Sequence, residues 1–334
     1  MPNPILPRNE ADPTGLAPTR RRADTRLTKM MQIAARDIRS LVAKLPHTIG
    51  PGETSRAYKS ETRKASLVAN RAYTWQVDNF LMDQTMNTIR RILTDSLLSG
   101  DTSWQQRWWM NGFLDPSYER GTTESFYSAQ RITQGIDSPS TNAIAIMDAE
   151  AQLQTAPYLT RLQLMHGRVF EDMQGIVGDT VKQLRTTLTD GMARGLGIRD
   201  ISGMINSRVG VGLSRARSIA RTEINRAYNT AYMDESEELN ENLKEDDYSI
   251  REMHVSALIP SITRKTHSDR HGTIHTRKEQ MAWWGINGNS NNCYCTVISV
   301  LINLKTGEVL QEGLVKRTKE SGKQYFKVHG TATA

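Results

Sequence analysis

At 334 residues the chain exceeds the comfortable size of one hydrophobic core, so two domains, or one domain with long helical extensions, are expected. Hydrophobic content of 37%, aromatic content of 6% and a mean hydropathy of −0.54 leave little core for this length, and no stretch approaches the ~20 apolar residues of a membrane span. The net charge of +7 favours polyanions as partners, while Cys293 and Cys295, one residue apart, cannot close an unstrained disulfide, which excludes disulfide stapling and fits folding in a reducing cytoplasm.

The first residues carry Pro2, Pro4, Pro7, Pro13 and Pro18 and run into Arg20, Arg21 and Arg22, so 1–24 reads as an extended basic arm. Its opening, MPNPILPRNEADPTGLAP, is too broken for a signal peptide. From Asp24 as an N-cap, Leu27, Met30, Met31, Ala34, Ile38, Leu41 and Leu45 recur at helical spacing until Pro46. The cations Arg26, Lys29, Arg36, Arg39 and Lys44 give this helix a basic outer face.

A second helical stretch is predicted over 54–99, with a kink and a stop at Gly100. Trp104, Trp108, Trp109, Phe113, Tyr118 and Phe126 then concentrate aromatics in an aromatic-poor chain, and their helix-like spacing favours packing over base stacking. From Tyr158 to Asp190 the positions Leu162, Met165, Val169, Met173, Ile176, Val177, Leu184 and Leu188 fit one helix of about nine turns. A shorter helix from Ile198 should end at the glycines Gly210 and Gly212, with Ser214 capping another whose stripe is Ala216, Ala220, Ile224, Ala227 and Ala231. The acidic run 234–247 reads as a solvated face or a partner-binding one. Beyond it the pattern turns to strands at 248–258, 294–304, 309–315 and 324–328, with turns at Lys305-Thr306-Gly307 and Ser321-Gly322-Lys323. The predicted class is α+β: mainly helical with long helices N-terminally and a small antiparallel sheet in the C-terminal part.

Three segments carry a resemblance: SIARTEINRAYNTAY at 218–232, TRKTHSDRHG at 263–272 and NNCYC at 291–295. In this order and at this separation they resemble the phage head morphogenesis domain of the Mu F type. The matching positions are Arg221, Thr222, Glu223 and Asn229, then Thr263, Arg264, His267 and Gly272, then Asn292, Cys293 and Cys295. The chain departs from the family pattern where Pro260-Ser261-Ile262 replaces an acidic residue before the T-R element, and where Tyr294 replaces a basic residue between the cysteines. The resemblance implies a domain organisation of arm (1–24), helical region (25–157) and Mu F-type domain (158–334). It also implies a non-enzymatic minor head protein: made in the host cytoplasm, incorporated into the virion head near the portal, in contact with portal and capsid proteins, and acting in head assembly and DNA packaging or delivery.

Physical chemistry adds three expectations. On one helix Glu223 and Arg226, three residues apart, can pair across adjacent turns, and Arg221 and Asn225 lie one turn apart, which suits a bridge from helix to sheet. The basic residues Arg20, Arg21, Arg22, Arg26, Arg36 and Arg39 are DNA-contact candidates for non-specific phosphate binding to double-stranded DNA. His267 and His271 at i, i+4, with Cys293 and Cys295 two dozen or so residues on, offer the imidazoles and thiolates that tetrahedral zinc prefers, with His254 and His275 as competing ligands. The enzymatic alternative is a metal-dependent nuclease built on His267, Asp269, His271 and His275.

Overall fold

The structure, a computed structural model, describes residues 2–50, 73–100, 108–260 and 262–329. In chain order they form α1 (Ala17–Ala43), β1 (His47–Ile49), β2 (Tyr73–Trp75), α2 (Asn79–Leu98), α3 (Asn111–Thr133), α4 (Pro139–Ile146), α5 (Ala149–Gln152) and α6 (Ala156–Ala193). There follow α7 (Ile198–Glu245), β3 (Tyr248–Val255), α8 (Lys265–Ser268), β4 (Ile274–His275), α9 (Arg277–Gly285), β5 (Thr296–Asn303) and α10 (Glu312–His329). The chain is mainly helical with small antiparallel sheets, the α+β class the sequence predicts.

Two compact units form. The first comprises Met1–Asp24, Trp109–Val169 and Ser218–Ala334; the second comprises Thr25–Trp108 and Phe170–Arg217. The division falls inside α1, α6 and α7, so residues 170–217 of the expected 158–334 region group with 25–108.

The first unit is built on the sheet β4-β3-β5, in which β3 and β5 run antiparallel from Tyr248↔Asn303 to Val255↔Thr296. Residues of β5 are buried on both faces, which is why its sequence, TVISVLIN, is a near-continuous apolar run rather than an alternating one. On one face Ile250 and Leu301, register partners, join Phe126, Ala129 and Ile132 of α3 and Leu239 and Leu243 of α7. On the other, Met253, Val255, Ile298 and Val300 pack against Leu314 and Val315 of α10. Burying this much aliphatic and aromatic surface supplies the main driving force of the unit.

In the second unit each helix buries one apolar stripe: Leu27, Met31, Ala34 and Ile38 on α1; Ile89, Leu93 and Leu97 on α2; Met173, Ile176, Leu184 and Leu188 on α6; Ile201, Ile205 and Val209 on α7. Asp78 caps α2 by accepting the Leu81 N–H, and Trp108 donates its indole N–H to the Leu97 carbonyl at the other end. The small sheet β1-β2 is tied in where Tyr73 N–H donates to Gly195 and Trp75 Nε1 to Leu196.

Several predicted elements change. Helix α1 starts at Ala17 rather than Asp24, because Asp12 accepts the Ala17 N–H at 2.8 Å and Pro18 fits a first turn, where its missing N–H costs nothing. Helix α7 does not stop at Gly210 and Gly212 and has no cap at Ser214. A Cβ on Gly212 would stand 2.8 Å from Thr180 Oγ1, so that glycine serves close packing against α6. The predicted strands at 309–315 and 324–328 are mostly α10, with one bridge at Ile302↔Val309. Gly322, read as a turn, is the point where α10 passes over His271: a Cβ there would be 3.1 Å from the imidazole. The acidic run is not uniformly solvated, since Asp234 and Glu235 are buried while Glu238, Glu241 and Glu245 are exposed. The parts of the predicted 54–99 helix up to residue 72, and Trp104, lie outside the described residues; of the other aromatics Trp108, Trp109, Tyr118 and Phe126 are buried, as packing requires.

Candidate functional site

The three motif segments converge in the first unit, at the loop that leads into β5. Along α7, positions 222, 225, 226 and 229 share a face at i, i+3, i+4 and i+7 spacing. Thr222 Oγ1 accepts the Asn292 N–H at 3.0 Å. Asn225 and Asn229 each donate an Nδ2–H to the Cys295 carbonyl at 3.0 Å, and Asn229 Oδ1 accepts from Thr296 Oγ1 at 2.8 Å. Arg226 donates to Ser290 Oγ at 2.9 Å and to Glu223, which also accepts from Arg168 at 2.6 Å. The helix-to-sheet bridge expected of this segment is made by these side chains. Arg221 points elsewhere and forms an ion pair with Asp24.

The second segment grips the same loop from its other end. Arg264 donates to the carbonyls of Gly288, Asn289 and Asn291, at 2.9, 2.8 and 3.2 Å. Thr263 Oγ1 bridges within its own turn, donating to the Ala257 carbonyl and accepting from the Ile259 N–H. Gly272 has φ +75°, a region L side chains rarely adopt, and a Cβ there would also meet the Lys319 backbone N at 2.9 Å. Asn292 sits in the left-handed region as well, at φ +49°, where asparagine is among the few tolerated side chains.

Loop and helix together hold His267, Cys293 and Cys295, all buried, so that one ligand atom of each lies within 4.8 Å of the others. His267 Nδ1 is 3.4 Å from Cys295 Sγ and 3.5 Å from Cys293 Sγ. A hydrogen bond between the two cysteine side chains draws the Cys293 thiol down, and the same hydrogen bond together with burial holds the Cys295 thiol up.

His271, the expected fourth zinc ligand, does not join them. Its Nδ1 accepts the Ser256 N–H at 3.0 Å, its Nε2 lies 3.1 Å from Ser321 Oγ, and burial pushes its pKa down to about 4. The physical reason is that α8 ends at Ser268, so i, i+4 spacing does not put 267 and 271 on one helical face. His254 bonds Gln280, and burial drives its pKa well down. Nor does the nuclease arrangement assemble: Asp269 is exposed and paired with Lys265, and His275 bonds Thr273. Among the described residues the metal-capable cluster contains no carboxylate.

The DNA-contact candidates separate. Arg21, Arg22, Arg26 and Arg36 are exposed on α1, and Arg39 is half-buried with a bond to Asn206. Arg20 is 6% exposed and belongs to the motif cluster: it pairs with Asp12 at 2.7 Å, donates to Asn225 Oδ1 and stacks its guanidinium 4.2 Å above the Tyr294 ring. A buried, paired arginine cannot reach a phosphate, so Arg20 is not a DNA contact. Asn225, which the sequence marks as a bridge from helix to sheet, carries as much of the loop clamp as Asn229, whereas its expected companion Arg221 takes no part in it.

Replacing Asn229 by alanine removes two buried hydrogen bonds and leaves the Thr296 hydroxyl only its longer bond, at 3.4 Å, to the Val297 carbonyl. The expected loss is about 2–3 kcal/mol, read as a lower urea midpoint at unchanged slope.

A helical α+β unit whose motif helix, T-R-H segment and C-x-C loop close on one point is what this geometry defines. Residues 182–298 match the model of the family described as Phage Mu protein F like protein, the family that the three motif segments resemble. No curated protein and no solved structure matches the chain. Among the described residues no helix is long and apolar enough to cross a membrane.

Proposed function

We propose that the chain is a minor head protein of a tailed phage, bound near the portal inside the head, with a structural role in head assembly and in DNA packaging and delivery. The observation that carries this reading is the family match over 182–298, which coincides with the segments whose side chains build the loop clamp. Its partners are portal protein, capsid protein and packaged double-stranded DNA, and its place is the virion head after assembly in the host cytoplasm.

The exposed cations of α1 support the DNA part, because packaged DNA offers phosphates and demands no base reading. Replacing Arg21, Arg22, Arg26 and Arg36 by alanine is expected to weaken double-stranded DNA binding equally for unrelated sequences. The slope of log K against log salt should fall by about 0.9 for each phosphate that is no longer neutralised. An unchanged slope would remove DNA from the partner set. Mass spectrometry of purified, DNA-filled heads tests the virion role directly: the chain should be present at a few copies per head, and its absence from heads would defeat the proposal.

A further inference from the structure

We infer that His267, Cys293 and Cys295 bind one zinc ion, through the imidazole Nδ1 and the two thiolates, with a water as fourth ligand.

Geometry is the first support. In a tetrahedral site with Zn–N near 2.0–2.1 Å and Zn–S near 2.3 Å, an imidazole nitrogen and a thiolate sulfur stand roughly 3.5 Å apart. The two nitrogen–sulfur distances here are 3.4 and 3.5 Å, and both sulfurs converge on the same ring nitrogen. Without an ion that nitrogen has one lone pair to offer two thiols, whereas a metal between the three atoms serves all of them.

Charge is the second. Two thiolates and a neutral imidazole bring Zn²⁺ to a net charge of zero, which suits a site whose three side chains are all buried. The His267 ring is held edge-on against Trp283, with centroids 4.8 Å apart.

Space is the third. All three ligands line one cavity of about 30 Å³, walled otherwise by residues including Ile259, Thr263, Arg264 and Asn292. That volume accommodates a water as the fourth ligand. The ion would lock the C-x-C loop to α8 at the point where Asn225 and Asn229 lock it to α7.

The test uses the full chain, reduced, stripped of metal and titrated with Co²⁺ alone, followed by displacement with Zn²⁺. One equivalent of cobalt should bind with tetrahedral d–d bands and a thiolate-to-cobalt charge-transfer band, both erased by zinc. Cys293→Ser and His267→Ala should weaken binding beyond the roughly 10–100-fold that loss of an outer partner costs, while His271→Ala should stay within it. Since a cysteine variant that fails to fold gives no spectrum of its own, the wild-type spectrum decides by itself. A folded wild-type chain that binds no cobalt, or binds it octahedrally without the charge-transfer band, overturns the site.

Discussion

Gly121→Ala is expected to destabilise the first unit by about 3 kcal/mol and to lower its melting temperature by roughly 10 °C. Gly121 lies mid-way along α3, where a Cβ would collide with the backbone carbonyl oxygen of Tyr228 and stand 3.0 Å from the Ala231 methyl of α7. Alanine in an ordinary helix interior gains about 1 kcal/mol over glycine. Here that gain is outweighed, because the obstacle is main chain and cannot rotate away; the helices must separate and loosen the packing along Phe126, Ala129, Leu239 and Leu243. The displaced segment of α7 also carries Asn225 and Asn229, so the C-x-C loop should loosen with it. Calorimetry checks this, and a melting temperature within a degree or two of wild type would contradict the close approach.

The second large effect is a pH dependence seated under the sheet. Glu252 and Glu235 are buried, and desolvation raises both carboxyls from 4.5 to about 7. Glu252 accepts from Ser236 Oγ, and Arg277 and Arg251 pull in the opposite direction without overcoming burial. With the folded value above the unfolded one, the unfolded chain loses its proton first. The contribution is therefore fully present below pH 4.5, declines as pH rises to about 7 and is level above that, by on the order of 3 kcal/mol for each group. His271 acts in the opposite sense: its pKa of about 4 lies below the ordinary 6.5, so its share is lost as pH falls between those values. The difference between wild type and Glu252→Gln isolates the carboxyl. The variant should be the more stable by on the order of 3 kcal/mol at pH 8 and nearly equal at pH 4.5 in urea unfolding. Equal stability at pH 8 would mean that Glu252 ionises in the folded chain at little cost.

Much of this architecture is legible in the amino-acid sequence where a pattern is long. The stripe from Leu162 to Leu188 predicts α6, and the apolar runs of β3 and β5 predict the central sheet. Short or ambiguous patterns fail for definable reasons. Glycine marks both a chain reversal and a close helix crossing, and at Gly212 and Gly322 only the neighbouring Thr180 and His271 distinguish the two. Helix α10 offers few buried apolar positions, chiefly Leu314 and Val315, too few to separate period 3.6 from period 2. At the site, the order of the three segments identifies which residues meet, but not what each does. Arg20 reads as one of a row of surface cations until Asp12, Asn225 and Tyr294 are seen around it. His271 reads as a ligand until the four-residue length of α8 is known.

A structural role at the portal vertex is tested most directly by affinity purification of a tagged full chain from infected cells, with and without nuclease. Portal protein is expected to co-purify and to remain after the DNA has been digested. An eluate without portal or capsid protein in either condition would contradict that role.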